Sequence, residues 1–148
     1  MEKKKRTIEN RMETSRMPVI MHKKTITAVE TSSFEDANFG NVMWQTLLSS
    51  PTTSTDSMCV GIATCPSNGS LELHEHTQAE MYYVLDGAGE VEINGERHRV
   101  AEGSMLWIPG DVVHGVFCGP DETLRWLYVF PEGRFSDIIY RFQPKPNK

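Results

Sequence analysis

Apolar and polar positions alternate with period two in two stretches of this chain, residues 71–76 and 80–85. That is the signature of half-buried strands, whose successive side chains face opposite ways. Across residues 71–76, Leu71 and Leu73 fall on one face and Glu72, His74 and His76 on the other. Residues 80–85 alternate likewise, so Glu80 and Tyr82 share a face. Further strands are predicted over residues 24–30, 42–48, 58–65, 90–93, 96–100, 105–108, 112–118 and 124–130. Residues 51–57 are a polar loop, and Pro66-Ser67-Asn68-Gly69, Asp86-Gly87-Ala88-Gly89, Pro109-Gly110-Asp111 and Gly119-Pro120-Asp121 read as turns. Asn94-Gly95 between two alternating runs is the strongest short hairpin signal a sequence carries. Near the C-terminus, Phe135, Ile138, Ile139 and Phe142 have helical spacing, yet residues 138–142 also read as a closing strand. A short turn followed by a strand is the expectation there. Short strands at regular spacing predict an all-β sandwich or barrel.

Composition keeps that picture and narrows it. The 148 residues suffice for one domain with a real core, and 39% are hydrophobic. No run of 18 apolar residues is present, so no transmembrane helix and no membrane partner are expected. The N-terminus lacks the apolar stretch of a secretory signal. Three cysteines argue against a disulfide framework and for reduced thiols in a cytoplasmic protein. Cys59 and Cys65 have the spacing to share a strand face. Cys118 has the parity of His114 and either approaches its site or is a small buried hydrophobe, the second being the commoner role. Charge is unevenly spread: residues 1–24 hold eight Lys/Arg and three Asp/Glu, against seven and seventeen in residues 25–148. The run Lys3-Lys4-Lys5-Arg6 reads either as an address or, more commonly, as a solvated mobile tail. The acidic body offers no footprint for nucleic acid.

The chemistry concentrates in four residues. His74, His76 and Glu80 fall within seven positions, and His114 follows thirty-four residues after Glu80. Imidazole nitrogens with one carboxylate suit a divalent transition metal such as Fe(II), Mn(II), Ni(II) or Zn(II), not Ca or Mg. Four protein ligands on a six-coordinate ion leave about two positions for substrate or water.

The stretches around these residues resemble the two halves of the cupin signature. In the first, Gly69, His74-Glu75-His76, Glu80 and Gly87 fall in the family's pattern, with four residues instead of five between Gly69 and His74. In the second, Gly103, Pro109 and His114 fit, while Asp111 stands at a glycine position and Cys118 at an asparagine position. The resemblance covers about residues 40–142. It implies a single-domain jelly-roll barrel (double-stranded β-helix), here residues 24–142, flanked by the basic segment 1–23 and a tail at 143–148. It also implies one metal on His74, His76, Glu80 and His114, and a homodimer, in which residues 24–30 are a candidate for pairing across the interface.

Many chemistries occur on this fold. The chain resembles in particular the small cupins that cleave dimethylsulfoniopropionate, which carry a tyrosine two residues after the ligand glutamate and another near the C-terminus. Tyr82 and Tyr140 match those positions. That resemblance implies a lyase acting on a small carboxylate by β-elimination. A phenol beside a cation can act as general base, although a core tyrosine with a satisfied hydroxyl fits Tyr82 as well. Trp107, Trp126 and Tyr83 are candidates either for an aromatic face toward a sulfonium or for barrel core. The alternatives are an Fe(II)-dependent dioxygenase and a non-catalytic small-molecule-binding module.

Overall fold

The computed structural model describes residues 17–145. A one-turn helix, α1 (Lys23–Thr27), precedes the strands β1 (Ser32–Ser33), β2 (Met43–Leu48), β3 (Cys59–Cys65), β4 (Ser70–Glu75) and β5 (Glu80–Ile93). They are followed by β6 (Glu96–Ala101), β7 (Met105–Ile108), β8 (His114–Phe117), β9 (Leu124–Phe130) and β10 (Arg141–Phe142). A short 3-10 turn, Phe135–Asp137, lies before β10, so the chain ends in the turn and strand the sequence suggests.

All pairings are antiparallel, in the order β1-β2-β3-β9-β5-β8-β4-β10, with β6 and β7 also on β5. Strand β5 organises this arrangement. Its first half pairs with β7 and β9, and its second half with β6 and β8. The two halves belong to different sheets, and the sheets close over one core as the jelly-roll barrel expected of the sequence. The alternation sorts β5 and β9 as predicted, but β4 shifts register between Leu71 and His74, so Leu71 is buried on the core side with His74 and not on the face opposite it. Tyr82, Val84, Val91, Ile108, Val116, Leu124, Trp126 and Phe130 are buried inward. The Asn94-Gly95 hairpin forms with φ of 51° and 82°, both in the left-handed region that a tight two-residue turn requires.

Two further expectations change. Asp86-Gly87-Ala88-Gly89 is not a turn that separates two strands. The chain stays extended and shifts register between Val84 and Asp86, where β5 passes from one sheet to the other. Gly87 permits this, with φ of 81°, and any Cβ there would overlap the Thr123 carbonyl. A glycine inside a strand marks a bend of this kind. The β-branched run at 24–30 is also not a strand. Residues 23–27 form α1, Thr27 Oγ1 donates back to the Lys23 carbonyl at 2.8 Å, and the Gln45 amide donates to the Ile26 and Val29 carbonyls at 3.0 and 2.9 Å. Those tertiary bonds satisfy the carbonyls that a strand would have offered to a neighbour, and they outweigh a propensity difference of a few tenths of a kcal/mol.

Gly87→Ala therefore meets both a left-handed φ and an occupied space, whereas at Gly95 (φ 82°) nothing lies within 4 Å of where a Cβ would stand. We expect Gly87→Ala to cost at least about 2 kcal/mol and Gly95→Ala about 1 kcal/mol. Thermal unfolding of the two variants checks the ranking, and equal melting temperatures would refute it.

Candidate metal centre

The barrel closure brings the four predicted ligands together at one end. His74 lies on β4 and pairs in register with His114, the first residue of β8. His76 follows the end of β4, and Glu80 is the first residue of β5. The Asp111 amide donates to the His76 carbonyl at 2.8 Å and ties the turn before β8 to the turn after β4. Asp111 takes a φ of 59° there, a conformation aspartate tolerates better than most residues, so its presence at a glycine position leaves the turn intact. Arg141 holds its carboxylate at 2.9 Å. A Cβ on Gly110 would overlap the Thr77 carbonyl, so this glycine is needed for the close approach of the two turns.

All four side chains are buried. Each imidazole places Nδ1 against a main-chain carbonyl two residues away: His74 on Glu72 (2.8 Å), His76 on Gln78 (2.9 Å) and His114 on Val112 (2.8 Å). An Nδ1–H donated in this way leaves Nε2 as the lone-pair nitrogen and fixes the ring. One ligand atom from each of the three histidines lies within 4.8 Å of the others. Nε2 of His74 and of His114 is buried with no hydrogen-bond partner. Buried polar atoms are rarely left so, because an unmet one costs about 1–3 kcal/mol. Two orphaned lone pairs converging on a third imidazole are what an ion would satisfy, so these residues fit a divalent metal. Glu80 Oε2 lies 3.0 Å from His76 Nε2 and 3.5 Å from His114 Nε2, at the edge of the same triad.

Electrostatics agree with this geometry. Burial, reinforced by the neighbouring His114, lowers His74 from 6.5 to about 3, so its imidazole is neutral. Burial alone would raise Glu80, but the adjoining imidazoles of His114 and His76 outweigh it and hold the carboxyl below its usual range. A neutral imidazole and an ionised carboxylate are the ligating forms.

Both predicted tyrosines are at this end. Tyr82 is buried on the same face of β5 as Glu80. Tyr140 lies flat on His74, with ring centroids 4.8 Å apart and planes 4° apart. Burial first, and then the Glu80 charge, push both phenols well above their ordinary value. Glu80, Tyr82 and Tyr140 open onto a cavity of about 260 Å³ whose other walls include Phe34, Trp44, Trp126, Tyr128 and Phe135. Among the described residues, Glu80 is the only ionised group lining it. Of the aromatics singled out from the sequence, Trp126 lines this cavity, while Trp107 and Tyr83 face outward and are exposed. Sequence reading missed Trp44 and Tyr128. Tyr128 has the inward parity of Trp126 on β9, and Trp44 sits opposite the inward Ala63, so alternation carried a signal for both. Cys118 is a buried group whose Sγ lies 3.8 Å from the Cys65 carbonyl, and it does not line this cavity.

Residues 61–130 match the family model Cupin_2, described as a cupin domain. The chain is 40% identical over 114 residues to "Dimethylsulfoniopropionate lyase DddW" of Ruegeria pomeroyi, which covers 77% of this chain and 74% of that protein. It is 34% identical over 71 residues to "Oxalate decarboxylase OxdC" of Bacillus subtilis, covering 45% of this chain and 18% of that protein. Among solved structures, the polyketide cyclase RemF from Streptomyces resistomycificus superposes with a TM-score of 0.73, at 24% identity and 88% coverage of both chains. No helix among the described residues is long and apolar enough to cross a membrane.

The neutral His74 gives a signed pH dependence. The unfolded chain takes up a proton below about pH 6.5, whereas the native site resists it down to about pH 3. Stability of the metal-free protein is therefore fully present above pH 6.5 and falls as pH drops through that window, by on the order of 1 kcal/mol per unit. Glu80, with its lowered value, adds loss in the same direction below its ordinary 4.5. Urea midpoints measured at pH 7, 6 and 5 on chelator-treated protein test this; a midpoint constant over that range would contradict it.

Proposed function

The chain belongs to the cupin family, and from that premise we propose that it is a metal-dependent lyase that performs β-elimination on a small carboxylate, with dimethylsulfoniopropionate as substrate. One observation carries the reading: Tyr82 and Tyr140 flank the histidine cluster where it meets an aromatic cavity whose single ionised group is Glu80. The 40% identity to a dimethylsulfoniopropionate lyase supports the same choice.

His74, His76, His114 and Glu80 are the residues to hold the metal. A divalent cation there supplies positive charge that binds the substrate carboxylate, acidifies the adjacent C–H and lowers the cost of ionising a nearby phenol. The cavity walls treat the other end of the substrate. Trp44, Trp126 and Phe34 offer π faces to the sulfonium and no competing anion beyond Glu80. With the two ends fixed, the α-carbon is turned toward Tyr82. Its phenolate oxygen takes the α-proton, the C–H pair becomes the new C=C bond, and the C–S pair leaves on sulfur. Acrylate and neutral dimethyl sulfide result, with the proton on the Tyr82 oxygen. Tyr82 suits this role because it stands on the long strand β5, two residues from Glu80, and is buried on the same face. Tyr140, stacked on His74, lines the same cavity and orients the substrate. The proposed working unit is a homodimer.

The test is a headspace assay with protein loaded separately with Fe(II), Mn(II), Ni(II) or Zn(II), with acrylate measured in parallel. Equimolar dimethyl sulfide and acrylate are expected from at least one form. His76→Ala should lose both bound metal and turnover. Tyr82→Phe should retain the metal and lose turnover by about 10²–10⁴-fold, the usual worth of a general base. No release from any fully loaded form would reject the substrate, and substrate-dependent oxygen uptake by the Fe(II) form would instead favour a dioxygenase.

A further inference from the structure

Strand β3 runs between β2 and β9, and its inward row is Cys59, Gly61, Ala63 and Cys65, all buried. Every member of that row is small, whereas the partners on β9 are large: Tyr128 stands opposite Gly61 and Trp126 opposite Ala63. Protein interiors pack to a nearly uniform density, so a row of missing side chains is either filled by neighbours or left as a cavity. The two central positions of β3 do one of each.

At Gly61 the neighbour fills the gap. A Cβ there would overlap Oη and Cζ of Tyr128, so the phenol lies across β3 and reaches β2, where Thr46 Oγ1 is 3.4 Å from its hydroxyl. Gly61 has no positive φ, so the ring and not the backbone requires the glycine. The same rung continues from Tyr128 to Tyr82 on β5. By leaning over Gly61, Tyr128 turns its ring away from Tyr82 and leaves the space beside Tyr82 clear. At Ala63 the gap stays open. That rung runs from Trp44 on β2 through Ala63 to Trp126 on β9. Both indoles line the cavity, and so does Ala63, which places a single methyl group between them. Each indole has a ring neighbour of its own, Phe34 for Trp44 at 4.8 Å and Tyr82 for Trp126 at 5.4 Å between centroids.

We infer that Gly61 and Ala63 determine the size of substrate the site accepts: together they make the room for a branched end, two methyl groups on one atom, at the far end of a propionate chain. This rests on the proposed reading of the cavity as the place of the sulfonium, and it assigns the residues that admit that group. Ala63 acts directly, as the floor between the two indoles. Gly61 is a positioning residue that acts through Tyr128. With a side chain at position 61 the phenol has to leave β3, and on its other side lies the cavity beside Tyr82. Strand β3 pairs with β2 and β9 and with neither β4 nor β8, the strands that bear His74 and His114, so the carboxylate end of a substrate is held independently of both positions.

Calorimetric titration of the Zn(II)-loaded protein tests this with probes that cannot undergo the elimination. Propionate reports the carboxylate end alone, 4-methylpentanoate is the uncharged carbon counterpart of dimethylsulfoniopropionate, and 4-ethylhexanoate is its bulkier homologue. The native chain should bind 4-methylpentanoate more tightly than propionate. Ala63→Val and Gly61→Ala should each weaken 4-methylpentanoate at least about 10-fold, the low end of what one methylene is worth in an apolar pocket, and leave propionate within about twofold. Ala63→Gly should tighten 4-ethylhexanoate by about 10-fold, and it carries the test if the larger residues prevent folding. Variants that bind 4-methylpentanoate as the native chain does, or that lose both acids in parallel, overturn the assignment, as does a native chain with no preference for the branched acid. The lyase reading fails separately: the expected binding pattern without release of dimethyl sulfide from dimethylsulfoniopropionate rejects the reaction and leaves the roles of Gly61 and Ala63 standing.

Discussion

Each imidazole at the centre of this protein has one nitrogen committed to a main-chain carbonyl two residues along, and the rest of the site follows from that constraint. The carbonyls of Glu72, Gln78 and Val112 belong to the strands and turns themselves, so the backbone orients the rings. Their Nε2 atoms then have no freedom to turn away from one another. The fold accepts two unpartnered buried nitrogens as the consequence. Such a site stores a polar deficit that an ion removes, which links binding to folding stability. The barrel has to be well packed to carry this deficit, and the run of large buried groups from Trp126 through Tyr82 to Phe130 directly beneath the cluster supplies that packing.

Much of this was legible in the sequence because strand alternation is a local rule. The sharing of one face by His74 and His76, and of another by Glu80 and Tyr82, needed only period two, and the Asn94-Gly95 hairpin needed only turn chemistry. What period two cannot give is which strand lies opposite which. The meeting of Trp44 and Tyr128 across the cavity depends on β2 and β9 both pairing with β3, a relation between residues more than eighty positions apart. The two misread segments fail for related reasons. Asp86-Gly87-Ala88-Gly89 has the composition of a turn, yet the partners on β9 continue through it, so the glycine bends a strand without ending it. Residues 24–30 have β-branched side chains, but their carbonyls found a side-chain amide from another element before they found a strand.

The ligand set by itself does not select a reaction. His74, His76, His114 and Glu80 are set by the fold's closure, and relatives of differing names share stretches of this sequence. Selection has to come from the groups that see the substrate and not the ion. Among the described residues, seven aromatic rings and one carboxylate line the cavity, and neither lysine nor arginine does. A wall of that composition has no way to hold a second anionic group, so a dicarboxylate would leave one end uncompensated in a poorly solvated space. A substrate with one carboxylate and a weakly hydrated cationic or apolar end meets no such penalty.

Electrostatics of the same kind explain why two tyrosines, and not a histidine or a carboxylate, stand beside the cluster. A second carboxylate next to Glu80 would repel it and be driven to the protonated form by burial. Another imidazole would compete for the ion. A phenol is neutral when the centre is without charge, as burial and Glu80 keep both Tyr82 and Tyr140, and so adds no electrostatic cost to the folded barrel. Its proton becomes labile only where positive charge is added nearby. On the proposed reading the base is thereby conditional on an assembled site, and the four proposed ligands also decide when Tyr82 can act.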